Sequence, residues 1–167
     1  MTHSWTEVQS LAVRAARGAH VPAAQARDFG NMLTRHLADG GAEAPLSEAL
    51  KTRGAIVDLA LRVENVIEAA SITAAPVSLH EDAPDLCALL VSWFTSLPCR
   101  VQVQLSGSIL TVTASLSEPN TRVRPARITL SAALYTRMHD LAAKTYVPDS
   151  EASRLGGAGF ELIEEAK

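Results

Sequence analysis

Apolar residues near the start of the chain recur every three or four positions, the spacing of one face of an α-helix. Ser4 and Glu7 have the spacing of a capping box, and Gly18 follows as a stop, which predicts a first helix. Pro22 suits the first turn of a second helix that runs to Gly40. The predicted core positions are Val8, Leu11, Ala12 and Ala15, then Ala26, Phe29, Leu33 and Leu37. Because the link between them is short, we expect an antiparallel pair.

Two more helices are predicted before the middle of the chain. Residues 45–53 form a short pattern that ends at Gly54. Residues 55–72 place apolar side chains at helical spacing, although the stretch 55–61 would also fit a buried strand. We interpret 55–72 as helix and leave the strand alternative open for its first half.

The next segment changes character at Pro76. Residues 72–80 are short and partly β-branched, which suits an edge strand or an extended connection. Residues 83–97 return to helical spacing and end before Pro98. The apolar face of this helix is predicted to be Leu86, Leu89, Leu90, Trp93 and Phe94.

Strict alternation of apolar and polar residues over 100–116 predicts a β-hairpin. A two-residue turn at Gly107 and Ser108 would place Leu105 opposite Leu110, Val103 opposite Val112 and Val101 opposite Ala114. All of these residues then lie on one side of the ribbon. The polar side would carry Gln102, Gln104, Thr111, Thr113 and Ser115. Turn and pattern agree, so the register is defined.

A third strand and a last helix follow the hairpin. Residues 122–130 fit a strand, and Ser131 fits the N-cap of a helix. The predicted inward residues are Ala126, Ile128 and Leu130 in the strand and Leu134, Met138, Leu141 and Ala142 in the helix. Helices and strands segregated in this way are typical of the α+β class.

We therefore expect one α+β domain over residues 1–167, because this length suits a single core. A helical N-terminal half would pack against a small antiparallel sheet, made of the hairpin plus one or two further strands, with a C-terminal helix. Residues 1–70 would be mainly helical and 71–147 would hold the sheet and helices. Residues 148–167 would form a glycine-containing C-terminal extension.

Composition and charge exclude several classes of partner. The net charge of −3 gives no electrostatic reason to bind nucleic acid. The chain has no run of about 18 apolar residues and no basic region leading into one, so we predict neither a membrane span nor a secretory signal. Cys87 and Cys99 fit no C-x-x-C pattern, which favours two thiols in a reducing compartment and a cytoplasmic location.

The sequence contains no recognised catalytic or cofactor motif. None of the five histidines lies three or four residues from another, so we predict no metal site. No G-x-S-x-G, P-loop or G-x-G-x-x-G pattern occurs, so we predict no cofactor. Arg122, Arg124 and Arg127 cluster around Pro125, with Arg100 expected nearby. They could form an anion patch, but protection of an exposed sheet edge is the favoured interpretation.

The segment 145–159, TYVPDSEASRLGGAG, is the least ordinary part of the chain. Capping and chain punctuation account for most of it, since Pro148 ends a helix and Asp149 can cap a turn. They do not account for the grouping of Tyr146, Ser150, Ser153 and Arg154.

This segment, together with residues 11–38 near the start of the chain, resembles the two ends of a bacterial family known as domain of unknown function 3726. The matching residues are Ala15, Ala16, Arg17 and Gly18, then Tyr146, Val147, Pro148, Ser150, Ser153, Arg154, Gly157, Ala158 and Gly159. The family pattern continues with glycine and a short acidic tail, where this chain has Phe160 and Glu161. The resemblance implies a cytoplasmic bacterial protein and a single feature that joins Arg17 to the terminal segment, but no activity.

Two hypotheses of function remain. The first is a non-catalytic accessory or small-ligand-binding domain, with a second copy of the chain or another protein as partner. The second is a small enzyme or anion-binding domain in which an arginine fork would hold a carboxylate and tyrosine would donate or transfer a proton. Its ligand-binding residues would be Arg17, Tyr146, Ser150, Ser153, Arg154, Gly157 and Gly159.

Overall fold

A computed structural model describes residues 1–52 and 54–145, which form six helices and five strands in an α+β arrangement. The elements are β1 (Thr2–Ser4), α1 (Trp5–Gly18), α2 (Ala23–Ala38), α3 (Glu43–Ala49), α4 (Ala55–Thr73), β2 (Val77–His80), α5 (Pro84–Ser96), β3 (Cys99–Ser106), β4 (Ile109–Pro119), β5 (Arg127–Thr129) and α6 (Ala132–Ala143). The predicted fold class is confirmed, including the helical N-terminal half. Predictions for residues 146–167 fall outside the described residues.

Helix α1 begins with the predicted capping box. The Ser4 backbone N–H donates to Glu7 Oε2 at 2.7 Å, and the Glu7 N–H donates to Ser4 Oγ at 3.3 Å. These hydrogen bonds to Ser4 lower the pKa of Glu7. The predicted core positions of α1 and α2 are all buried. Gln9 contacts Asn31 and Val13 packs on Gly30, so the two helices run in opposite directions, as predicted.

Helix α1 ends at Gly18, where the stop was predicted, and Gly18 also has a second role. The residue with positive φ after α1 is His20, at 65°. A Cβ added to Gly18 would lie 1.8 Å from the backbone oxygen of Leu141. Gly18 is therefore required, because the backbone of α6 packs directly against the backbone of α1 at this point and leaves no room for a side chain.

Helix α2 is the centre of the helical layer. Its second half is buried continuously over 32–37, because α1, α4 and α5 all pack against it. Phe29 meets Trp93 of α5 edge to face, with ring centroids 6.4 Å apart. The buried His36 is satisfied at both nitrogens, with Nε2 2.9 Å from the Ala42 carbonyl and Nδ1 2.9 Å from Ser92 Oγ. Since a carbonyl can only accept, Nε2 carries the proton.

The hairpin has the predicted register. Strands lie in the order β2-β4-β3, and Val103 pairs with Val112 across the ribbon. Gly107, at φ +58°, occupies the turn. Val112 is fully buried, and Val103 is partly buried on the same side. Helix α4 packs on β4 and covers most of the apolar side, but Leu105 beside the turn is 52% exposed, so its inward assignment was wrong.

The remaining predicted strand joins a different sheet. β5 pairs with β1, with Thr2 opposite Thr129, and the third strand of the hairpin sheet is β2. Ile128 and Leu130 are buried as predicted, but Ala126 is exposed, so its inward assignment was wrong. The strand is shorter than its alternating pattern because only three residues find partners.

The helix interpretation of 55–72 is confirmed, since the open region 55–61 is helix within α4, but the end of α3 and the role of Gly54 differ from the prediction. Helix α3 ends at Ala49, before the predicted stop at Gly54. Gly54 has φ +87° and instead precedes α4 as its N-cap. Ser131 caps α6 through the Leu134 N–H at 3.1 Å, as predicted.

Candidate functional site

Helix α2 presents polar residues at every fourth position along one face: Arg27, Asn31, Arg35 and Asp39. Arg27 is largely exposed, whereas the Arg35 side chain is only 7% exposed. A buried guanidinium must have hydrogen-bond partners, because an uncompensated charge away from water is very costly.

Arg35 has these partners in three directions. Its Nη1 donates to Asp39 Oδ1 at 3.2 Å, and its Nη2 donates to the Val123 carbonyl at 2.9 Å. Its guanidinium carbon lies 4.9 Å from the ring centroid of Trp5, a cation–π contact. Arg35 thereby ties α2 to Trp5 at the start of α1 and to the segment after β4.

The segment 120–124, after β4, carries the second group of arginines. The Asn120 side chain holds it in place: Nδ2 donates to the Thr95 and Leu97 carbonyls at 2.9 and 2.7 Å, and Oδ1 accepts from the Arg122 N–H at 2.9 Å. The segment is therefore anchored to the end of α5 and extends toward α2.

The two arginines of this segment contact the end of α2 and the start of α1. Arg122 Nη1 donates to Asp39 Oδ2 at 3.3 Å, so Asp39 bridges Arg35 and Arg122. The Arg124 guanidinium lies 5.4 Å from the Trp5 ring centroid. These two arginines line a cleft and do not follow the edge of a sheet, which supports the anion-patch interpretation over edge protection.

We call the resulting concavity, of about 450 Å³, the arginine cleft. It is lined by Trp5, Arg27, Asn31, Arg35, Thr95, Ser96, Leu97, Pro98, Asn120, Arg122 and Arg124. Most polar atoms of its neutral side chains are already engaged within the fold. Thr95 Oγ1 donates to the Val91 carbonyl at 2.9 Å, Ser96 Oγ donates to the Trp93 carbonyl at 2.8 Å, and Asn31 accepts from Gln9. The guanidinium groups are left as the main donors available to a ligand.

The charge of the arginine cleft is not balanced internally. Four guanidinium groups line it, and two carboxylates lie within salt-bridge distance of them. Asp28 contacts Arg27 at 3.1 Å, and Asp39 serves both Arg35 and Arg122. Within residues 1–52 and 54–145, no carboxylate pairs with Arg124. Counted over the residues that the structure describes, the cleft therefore has an excess of two positive charges.

The other arginines of the predicted patch lie elsewhere. Arg100 Nη1 donates to Glu118 Oε2 at 2.6 Å on the hairpin. Arg127 is in β5, paired with Ser4 of β1. Sequence reasoning identified Arg122 and Arg124 and missed Arg27, Arg35 and Trp5. The four-residue spacing of polar residues on α2 could have indicated that Arg27 and Arg35 share a face. No local pattern in the sequence connects these two arginines to Trp5.

Arg17 is the one residue of the predicted terminal site that the structure describes, and it is exposed at the end of α1. The other predicted ligand-binding residues, Tyr146, Ser150, Ser153, Arg154, Gly157 and Gly159, lie outside the described residues. The structure does place the end of α6 close to Arg17, because the Leu141 carbonyl lies against Gly18. A groove of about 940 Å³ lies beside this crossing, with Arg137 and Lys144 in its wall.

Several other chemical groups in the described part of the chain have structural explanations. Burial raises the pKa of Cys87, whose Sγ lies 3.2 Å from the Glu81 carbonyl, so its thiol is held protonated. The Tyr135 ring stacks on His3 and contacts His139, with centroids 4.7 and 4.5 Å away. Among residues 1–52 and 54–145, no three His, Cys, Asp or Glu side chains converge as metal ligands.

Comparisons of the chain with protein families, with curated proteins and with solved structures found no match. None of the helices in the described ranges combines the length and apolar character needed to cross a membrane.

Proposed function

We propose that this protein is a non-catalytic domain that binds a small anionic ligand in the arginine cleft. The observation that carries the proposal is the uncompensated charge: four guanidinium groups share two carboxylates around one concavity. A guanidinium presents parallel N–H donors that match the oxygens of a carboxylate or phosphate. A bound anion would complete the charge balance that residues 1–52 and 54–145 leave open.

The arginine cleft is also organised before a ligand arrives. Arg35 is fixed by Asp39, the Val123 carbonyl and Trp5, and Asn120 fixes the backbone that carries Arg122. Ordering a long side chain on binding costs about 0.5–1.5 kcal/mol, so Arg122, which Asp39 and its anchored backbone already hold, binds an anion at lower cost.

The lining of the cleft favours binding over catalysis. Its described residues include no histidine, cysteine or carboxylate that could serve as a general base or nucleophile. Its two hydroxyl groups, on Thr95 and Ser96, donate to backbone carbonyls of α5. A hydroxyl without an adjacent base is a weak nucleophile at neutral pH.

The proposal is tested by calorimetry and thermal shift with small carboxylates, phosphate and sulfate. A ligand that binds only the folded state raises its unfolding temperature. Arg124→Ala should weaken anion binding about tenfold. Arg100→Ala is the matched control, because Arg100 is also exposed but pairs with Glu118 on the hairpin. Equal binding by the wild type and both variants, or no binding by any of them, would reject the arginine cleft as the site.

A second candidate is the predicted site that joins Arg17 to residues 146–159. The contact between the Leu141 carbonyl and Gly18 favours it, because α6 ends beside the turn that carries Arg17. The same ligand panel distinguishes the two sites. If Arg17→Ala and Arg154→Ala abolish binding while Arg124→Ala does not, the terminal site is the functional one.

The resemblance to domain of unknown function 3726 is the basis for the origin and the cellular location that we propose. We propose a bacterial, cytoplasmic protein that uses no cofactor and that pairs with a second copy of itself or with another protein. Size-exclusion chromatography with light scattering tests the self-association, and a strictly monomeric mass at high concentration would contradict it.

A further inference from the structure

We infer that the ligand of the arginine cleft is a dianion, such as a dicarboxylate or a phosphate monoester. This inference rests on the proposed function, since it specifies the ligand class of the same site. In the described part of the chain, the cleft has two positive charges more than the carboxylates that contact its arginines balance. Opposite charges in a partly buried site interact more strongly than in water, so neutralising both should favour a doubly charged ligand.

Arg35 does not provide this selectivity directly. Its side chain is 7% exposed, and its donors already serve Asp39 and the Val123 carbonyl. The groups left for a ligand are the exposed guanidinium groups of Arg27, Arg122 and Arg124. Arg35 instead holds Asp39, which in turn contacts Arg122.

The positive groups lie toward both ends of the polar face of α2. Arg122 contacts Asp39 at the C-terminal end of the helix. Arg27 precedes Asp39 by twelve residues, which corresponds to about 18 Å along the helix axis. A small dicarboxylate is shorter than this separation, so it would contact both groups only through arginine side chains that reach inward from each end. A phosphate monoester would place its two charges at one end. The two ligand types share their total charge and differ in how far apart their oxygens lie.

Calorimetry at one ionic strength and about pH 8 tests the inference, because a phosphate monoester, with its second pKa at about 6, is then a dianion. The probes are acetate, succinate, adipate and methyl phosphate. Wild-type protein should bind at least one dianion about tenfold more tightly than acetate. Tighter binding of adipate would identify a dicarboxylate site, and tighter binding of methyl phosphate would identify a phosphate site.

Three variants distinguish the effect of losing a positive charge from the effect of losing the folded structure. Arg124→Ala removes one of the two excess charges and should reduce the preference for dianions to about threefold or less. Arg124→Lys keeps the charge and should keep the preference, and Arg100→Ala should match the wild type. Thermal unfolding of each variant without ligand checks that the fold is retained.

The outcomes distinguish failure of the inferred ligand class from failure of the proposed anion binding. If acetate binds as tightly as every dianion, the ligand class is wrong while anion binding stands. If Arg124→Lys behaves like Arg124→Ala, the charge argument is also wrong. If no probe binds at all, the proposed function and the inference both fail.

Discussion

Arginine side chains on the sheet side of the molecule and in the arginine cleft are balanced in different ways. On the sheet side, Arg62 contacts Glu81 and Arg100 contacts Glu118, each at 2.6 Å and each one to one. In the cleft, one carboxylate of Asp39 serves two arginines. The same residue type therefore closes a local pair in one region and leaves positive charge available in the other.

The carboxylates of the sheet side are also saturated by other donors. Glu81 Oε1 accepts from the Ala83 N–H at 2.9 Å, and Glu118 Oε1 accepts from Ser115 Oγ at 3.1 Å. Such pairs fasten one segment of chain to another and leave little capacity for a ligand. Charge balance, more than the number of arginines, is what separates a structural contact from a candidate binding site.

The largest effect should come from removing Arg35, the buried centre of the cleft. Arg35→Ala leaves the Val123 carbonyl without its donor, removes one of the two arginines that contact Asp39 and opens a cavity beside Trp5. We expect a loss of about 3 kcal/mol in the free energy of unfolding, measured by urea denaturation. Arg100→Ala is the control and should leave this free energy unchanged, because its ion pair is exposed to water. Equal losses in the two variants would remove the distinction between the regions.

How much of the fold and of the cleft could be predicted depends on how far apart the interacting residues are in the sequence. The hairpin register followed from residues within one segment, because turn length and alternation both fix which side chains face each other. The helix caps at Ser4 and Ser131 are local in the same sense, since each contacts a backbone N–H three residues away. Local patterns therefore predicted most elements and their buried faces.

Contacts between distant segments were not predictable in this way. β1 is three residues long and pairs with β5 at the other end of the chain, so neither strand identifies its partner. The same holds for Arg35, whose acceptor at Val123 is 88 positions away. The spacing on α2 shows that Arg27 and Arg35 share a face, but not that Arg35 is buried beneath the segment that carries Arg122. The cleft exists only once these segments meet.

The second prediction concerns the anchor of the arginine segment. Asn120→Ala removes the donors to the Thr95 and Leu97 carbonyls and the acceptor for the Arg122 N–H. We expect a loss of about 2 kcal/mol in the free energy of unfolding and weaker anion binding, both measured on the same preparation. Asn65→Ala, on the exposed face of α4, is the matched control and should change neither property. Unchanged anion affinity in Asn120→Ala would show that the segment needs no anchor.

The third prediction concerns the pH dependence of the one-to-one ion pair between Arg62 and Glu81. Glu81 is only 13% exposed, and the Ala83 N–H and then the Arg62 guanidinium lower its pKa against the opposing effect of burial. Because the folded-state pKa lies below the ordinary value of 4.5, the stabilisation is complete above that pH and is lost as the pH falls through the folded-state pKa. Glu81→Gln should therefore reduce stability by about 1 kcal/mol near neutral pH, and the difference from wild type should vanish in acid. A difference that persists in acid would mean that the pair does not act through its charge.

The smallest effect is expected for the exposed pair on the hairpin. Hydrogen bonds from Arg100 and Ser115 lower the pKa of Glu118, yet both partners of the ion pair are about half exposed. Water and salt screen such a pair, and holding two long side chains together costs conformational entropy. Glu118→Gln should therefore leave the unfolding temperature unchanged at low and at high salt, and it should not alter anion binding. A salt-dependent loss of stability as large as that of Glu81→Gln would show that one-to-one pairing, and not burial, sets the strength of the contacts on the sheet side.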